Sequence, residues 1–226
     1  RTGIVALIGV DGANIGSTGD GKNRFAGNFD NVIHLMDSLS TGDPTNDVNI
    51  VGNTMGYNYN ESSPLNNQSR MVSTNGNTHD VLIRDNTLHY NTCPSFCGSG
   101  IPAISMNDNS QNISVLGNSI FTGGTTLCIN IFGNINNNDA QDGGGNGFWP
   151  KEQNKFPRYN PNVEDGGNTE VDFSIDVPAG DYRIEFFSNT NAYEQGETYL
   201  GYVNITSDGS GLQGFSHTLS GTGHTN

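Results

Sequence analysis

Val48-Asn49-Ile50-Val51-Gly52-Asn53-Thr54-Met55 returns twice more in this 226-residue chain, as Val81-Leu82-Ile83-Arg84-Asp85-Asn86-Thr87-Leu88 and as Ile113-Ser114-Val115-Leu116-Gly117-Asn118-Ser119-Ile120. Aligned on Asn53, Asn86 and Asn118, apolar residues stand five and three places before the asparagine and two after it, and a small hydroxyl residue follows it directly. Alternation of this kind buries one face of a strand. The copies recur every 32 or 33 residues, and a looser one, Phe25-Ala26-Gly27-Asn28, precedes them. A period of that length with strand chemistry and no helical spacing predicts a solenoid, in which each coil buries its inner face only by stacking on its neighbours. Stacked coils set equivalent side chains above one another. The amides of Asn28, Asn53, Asn86 and Asn118 are therefore expected to form an architectural ladder of hydrogen bonds rather than a ligand site.

Composition narrows the function classes. Net charge is −14 with only nine Lys and Arg residues, which cannot form the cluster that phosphate neutralisation requires, so a nucleic-acid partner is not expected. The same shortage disfavours anionic membrane surfaces, and no apolar run is long enough to span a bilayer. Acidic excess favours solubility and divalent cations. The hydrophobic fraction is only 32%, but the apolar positions keep phase from copy to copy, which a disordered polar chain would not do. The chain starts at Arg1 without a signal peptide, and a processed protein or a section of a larger parent polypeptide is expected.

Between the copies, Ile4 to Val10, Val32 to Met36, Met71-Val72 and Ala103 to Met106 supply further strand segments, giving each coil two or three strands. Tyr57 to Ser69 and Asn91 to Gly100 read as excursions from one side of the stack, where solenoids often carry binding surfaces. After Asn118 the rhythm breaks, and Asn136 to Gly147 has almost no apolar residue. From Thr169 the pattern changes to short alternating strands with tight turns, at Val171 to Val177, Tyr182 to Phe186, Leu200 to Ile205 and Phe215 to Leu219. The expected organisation is an all-β chain: a solenoid over 1–135, an acidic Gly/Asn-rich linker over 136–168, and a β-sandwich over 169–226 that lacks its closing strand.

The turns Ile15-Gly16, Gly27-Asn28, Gly52-Asn53 and Gly117-Asn118, the Asn138 to Gly143 connector, and the segments Tyr182 to Thr190 and Gly196 to Gly201 resemble the right-handed parallel β-helix repeat proteins of bacterial secreted and surface type, followed by an immunoglobulin-like module. Asp85-Asn86 departs slightly from the Gly-Asn turn. The resemblance implies an extracellular or cell-surface location and a structural or adhesive role, with copies of the chain itself, the parent polypeptide or glycans as partners. A strand supplied by a neighbour, completing the sandwich, would make the chain a subunit of a self-assembling filament. The alternative that the resemblance leaves open is a polysaccharide-binding or polysaccharide-cleaving protein.

Four groups of residues carry the chemistry that remains. Asn138, Asp139, Asp142 and Asn146 set oxygen donors among glycines, as a calcium ion accepts, against the alternative of a solvated linker. Cys93 and Cys97 are close enough in sequence for a small disulfide, which an oxidising compartment would allow. Cleavage of a polysaccharide would need converging carboxylates, and Asp80, Asp85 and Asp108, with His79 and Arg84, are the available groups. Arg84 points outward and Asp85 only replaces a turn glycine, so a non-catalytic role is expected and no catalytic residue is assigned. Sequons begin at Asn60, Asn67, Asn112 and Asn204, at a density that an Asn-rich chain reaches by chance.

Overall fold

The computed structural model describes residues 5–38, 40–58, 60–89, 101–106, 110–121, 129–131, 158–159, 163–165, 168–188 and 196–220. They contain strands and turns and no helix. The chain divides into two compact units, 1–135 with 188–199, and 136–187 with 200–226.

The first unit is a parallel β-solenoid. Its opening coil carries β1 (Val5–Ile8), β2 (Asp11–Ile15) and β3 (Arg24–Phe25). The next carries β4 (Ile33–Met36), β5 (Asn46–Val51) and β6 (Thr54–Met55). Two more follow, with β7 (Val72–Thr74), β8 (His79–Arg84) and β9 (Thr87–His89), then β10 (Ile104–Met106), β11 (Gln111–Leu116) and β12 (Ser119–Phe121); β13 (Ile129–Ile131) adds a last rung. The strands stack as three parallel sheets, β1-β4-β7-β10-β13, β2-β5-β8-β11 and β3-β6-β9-β12. Register follows the repeated phrase: Val48 pairs with Val81 and Val81 with Ile113, while Met55 pairs with Leu88 and Leu88 with Ile120.

One face of every strand is buried because the inward residues meet like residues above and below. Val48, Ile50, Met55, Ile83 and Leu88 join Ile33, Leu35, Val72 and Ile104 in a continuous core with no exposed surface. Each such side chain contributes on the order of 2 kcal/mol by leaving water. A one-residue slip in any strand would turn that contribution outward, so the phrase enforces its own register.

Two columns of left-handed backbone shape the coils. Gly16, Gly52, Asp85 and Gly117 turn the chain at the end of the second sheet, with φ of 80°, 67°, 56° and 60°. Gly12, Asp47, Asp80 and Asn112 kink every strand of that sheet near its start, at φ of 76°, 51°, 54° and 50°. Pairing steps over the kink: Asn46 matches His79 and Val48 matches Val81. Gly, Asn and Asp are the residues that reach this region at low cost, and the column holds no other type.

The second unit is built from antiparallel sheets. β14 (Arg158–Tyr159) and β15 (Val163–Asp165) lie along one edge of β16 (Asn168–Ile175), and β19 (Gln213–Leu219) lies along the other. β17 (Gly180–Ser188) and β18 (Thr198–Ser207) form a two-stranded sheet. Val171, Phe173 and Ile175 pack with Ile205 and Leu219 in a core that also takes Ile184, Phe186 and Phe215. Phe173 meets Phe186 edge-on and stacks on Phe215, so the two sheets share one small apolar layer as a sandwich does.

Candidate functional site

The ladder asparagines occupy the corner between the second and third sheets, each following a turn residue and preceding a buried strand. Asn86 lies between its neighbours with every amide valence used. Its Oδ1 accepts from the backbone N–H and the Nδ2 of Asn53, at 2.9 and 3.0 Å. Its own N–H and Nδ2 donate to Asn118 Oδ1 at 3.0 and 2.9 Å, and the second Nδ2 hydrogen goes to the Ile50 carbonyl of the coil before. Asn53 is treated alike, with Asn23 as donor below it and the Ile15 carbonyl as acceptor. The column therefore runs Asn23, Asn53, Asn86, Asn118.

Asn28, expected in that column, is elsewhere. It donates through N–H and Nδ2 to Asn67 Oδ1, in a second pair of stacked amides 39 residues apart in the chain. The cause is an insertion. In later coils the turn residue and the ladder asparagine are adjacent, whereas residues 17–22 separate Gly16 from Asn23. Arg24-Phe25 pairs with Thr54-Met55, which fixes Asn23 below Asn53.

The carboxylates that a hydrolase would use do not converge. Asp80 takes His79 Nδ1 at 2.7 Å on one oxygen and Asn112 Nδ2 at 3.1 Å on the other. These hydrogen bonds hold the Asp80 carboxyl below its usual range, so it has no tendency to keep a proton at neutral pH. Arg84 pairs with its neighbour Asp85 at 3.2 Å on the surface. Asp108, the cysteine pair Cys93 and Cys97, and the oxygen donors Asn138, Asp139, Asp142 and Asn146 lie outside the described residues. Among the described residues no group of three His, Cys, Asp or Glu side chains could hold a metal ion.

A histidine relay on the third sheet escaped the sequence reading. Tyr57 Oη lies 3.0 Å from His89 Nδ1, and His89 Nε2 lies 2.7 Å from Ser119 Oγ. Ser119 donates its one hydroxyl hydrogen to the Glu197 carbonyl. The proton positions follow. Ser119 must accept from His89 Nε2–H, so Nδ1 is the acceptor and Tyr57 donates to it. The order serine, histidine, tyrosine resembles a nucleophile with its base, but the serine proton points away from the imidazole, which therefore cannot take it. The relay instead ties two coils to the segment at 196–197, where Ile120 N–H also donates to the Gly196 carbonyl at 2.6 Å. No protein-family model, no curated protein and no solved structure matches the chain.

Two further groups are structural on the same test. Glu61, at the tip of the excursion after Tyr57, takes Lys22 Nζ at 2.7 Å, Arg24 Nε at 2.9 Å and Thr54 Oγ1 at 3.3 Å, and so fastens that excursion to the first two coils. On the first sheet His34 Nε2 contacts Asn75 Nδ2 at 2.7 Å. Beside it Ser73 is 1% exposed and its Oγ has no hydrogen-bond partner, nor does Arg70 Nε. With so little surface Ser73 has no room for a ligand. Of the sequons, Asn67 is fully buried in its amide pair and Asn112 is bound to Asp80, while Asn60 and Asn204 are exposed.

These contacts set the response to pH. Burial is the main cause that lowers the pKa of both His34 and His89 from 6.5; nearby charges, Asp30 for the first and Glu197 for the second, offset it in part. The unfolded chain thus takes up protons near pH 6.5 that the folded chain refuses, so this contribution to stability is complete above 6.5 and is lost as pH falls through it. The depressed carboxyls of Glu61, Asp80 and Asp208 act in the same direction, but only below their ordinary values of 4.5 and 3.8. Between pH 7.5 and about 5.5 the fall in denaturation midpoint is therefore expected to come from the histidines. His89→Gln should flatten it. Equal slopes in the two proteins would show that His89 titrates alike in the folded and unfolded chains.

Proposed function

We propose that the chain is an extracellular structural or adhesive surface protein without catalytic activity, of the bacterial secreted or surface type, its second unit an immunoglobulin-like module. One observation supports this above the rest: the polar side chains that could carry chemistry are spent on tying one coil to the next. Asn53, Asn86 and Asn118 are buried and saturated by one another, His89 and Ser119 pass a hydrogen bond to a main-chain carbonyl, and Asp80 is held by His79 and Asn112. A stack of that kind is a stiff carrier for surface loops. Calcium held by Asn138, Asp139, Asp142 and Asn146 would stiffen the connection, and a strand donated to the second unit by a neighbour would link copies into a filament.

Electron microscopy of the purified 24.1 kDa chain, paired with a reducing-end assay on acidic and neutral polysaccharides, tests the proposal. Ordered assemblies and no cleavage are expected. Polysaccharide turnover would overturn the non-catalytic role, and monodisperse single chains at high concentration would remove the filament.

A further inference from the structure

The coil stack is closed at one end and open at the other. At the closed end Asn118 is 3% exposed, Ile120 is bridged by Gly196, and Ser119 is bound by Glu197. At the open end β1, β2 and β3 have strand partners on one side only among the described residues. Leu7, Ala13 and Phe25 are the core residues of that end, packed against the buried cluster but only partly covered, and Ile8 next to them is 50% exposed. Asn23, the lowest member of the ladder, is exposed. Its N–H and one Nδ2 hydrogen go up to Asn53, and every higher ladder amide spends its other atoms on a neighbouring coil. Asn23 has no coil beneath it, which leaves its Oδ1 and its second Nδ2 hydrogen without a protein partner.

We propose that this end face is a self-association surface, and that two copies of the chain meet through it about a two-fold axis. The inference rests on the self-associating role above and names its first contact. An amide that offers one acceptor and one donor is complementary to its own copy, as a two-fold contact requires. The backbone edge of β2 is likewise self-complementary, since two such edges related by a two-fold axis pair as antiparallel strands. Charge permits the approach at this end. Asp11 and Asp20 share the opening coil with Lys22 and Arg24, so two copies meet there with both signs present, although the chain as a whole carries −14. Because the other end is closed, association through coil ends stops at a pair. Growth beyond the pair would need the second unit.

Sedimentation velocity of the full chain across a hundredfold concentration range tests this. A reversible equilibrium between 24.1 kDa and twice that mass is expected. Ala13→Glu sets an unpaired charge on the end face and is expected to weaken the pair at least about tenfold, a penalty ordinary for an interface that buries an unmatched charge. Asn23→Ala keeps the N–H bond to Asn53 and removes the amide, and a loss of about threefold or more is expected, in the range of one lost hydrogen bond. Leu212→Glu, at an exposed position of the second unit, should leave the pair unchanged, and a thermal melt of each variant shows that it is folded. A single chain at all concentrations overturns the proposal, as does a pair that survives Ala13→Glu and Asn23→Ala in folded protein. A pair without filaments would keep this contact and remove strand donation; filaments indifferent to the end-face variants would do the reverse.

Discussion

Asn86→Leu is expected to lower the stability of the solenoid by about 3 kcal/mol or more, since each buried donor left without an acceptor costs roughly 1 to 3 kcal/mol. Asn86 is 1% exposed, so water cannot replace what the substitution removes. Its Oδ1 is the acceptor for two hydrogens of Asn53, one from the main chain and one from the amide. Its amide supplies one bond to Asn118 and one to the Ile50 carbonyl. Leucine has nearly the same shape, so the apolar packing changes little and the cost falls on the orphaned groups. Asn23→Leu is the control. That position is exposed, and its loss should cost under about 1 kcal/mol because water re-solvates the Asn53 carbonyl oxygen it served. Chemical denaturation of both variants decides the matter. Equal costs at Asn86 and Asn23 would mean that the column is held by its backbone and that the amides are passengers. Coupling is expected as well: with Asn118 also replaced, the second substitution should cost less than it does alone, because the acceptor it removes has already lost one donor.

The solenoid was legible because its signal is redundant. Val48, Val81 and Ile113 occupy one inward position, Ile50, Ile83 and Val115 another, and no other phase buries both sets at once. The ladder was legible where turn and amide are adjacent, at Asn53, Asn86 and Asn118, and was misplaced in the opening coil where they are not. Gly27-Asn28 copies the dipeptide, but the hydrogen-bonding position is defined by the strand that follows it, and Arg24-Phe25 after Asn23 was the cue. The kinked column shows a different limit. Asp47, Asp80 and Asn112 each stand one place before the first apolar residue of the phrase, so their alignment was visible; what the alignment meant was not. Aspartate in a sequence can be present for its charge or for its tolerance of left-handed backbone. Asp80 was read as a candidate acid and Asn112 as a sequon, while the backbone had selected both. The His89 relay was hidden for a related reason. Its partners come from three coils and from residue 197, and nothing in the spacing of a lone histidine announces contacts that only stacking creates.

Gly52→Ala is expected to cost the fold about 3 kcal/mol or more, the sum of left-handed strain of roughly 1 to 2 kcal/mol and a clash that only a backbone shift relieves. At φ 67° a Cβ on residue 52 would lie 2.4 Å from the Ser17 carbonyl oxygen and 2.6 Å from its carbon. Both are main-chain atoms, fixed by the insertion that sits under this turn. Asp85 holds the equivalent place one coil on, at φ 56°, and proves that the column does not demand glycine everywhere. The difference lies in what is beneath. Residue 85 stacks above Gly52, which has no side chain, and below Gly117, where a Cβ would come within 2.8 Å of Asp85 Oδ1. Side chains can therefore occupy alternate places in the column but not neighbouring ones. Two consequences follow. Asp85→Gly should be nearly neutral, trading a surface ion pair with Arg84 for relief of backbone strain, each worth about 1 kcal/mol or less. Gly117→Ala should be destabilising alone and clearly less so when combined with Asp85→Gly, because the atom it strikes has been removed. Denaturation midpoints for the two single variants and the double variant give the coupling directly. Strict additivity would show that left-handed strain alone sets the cost at Gly117, and that contact along the column adds nothing to it.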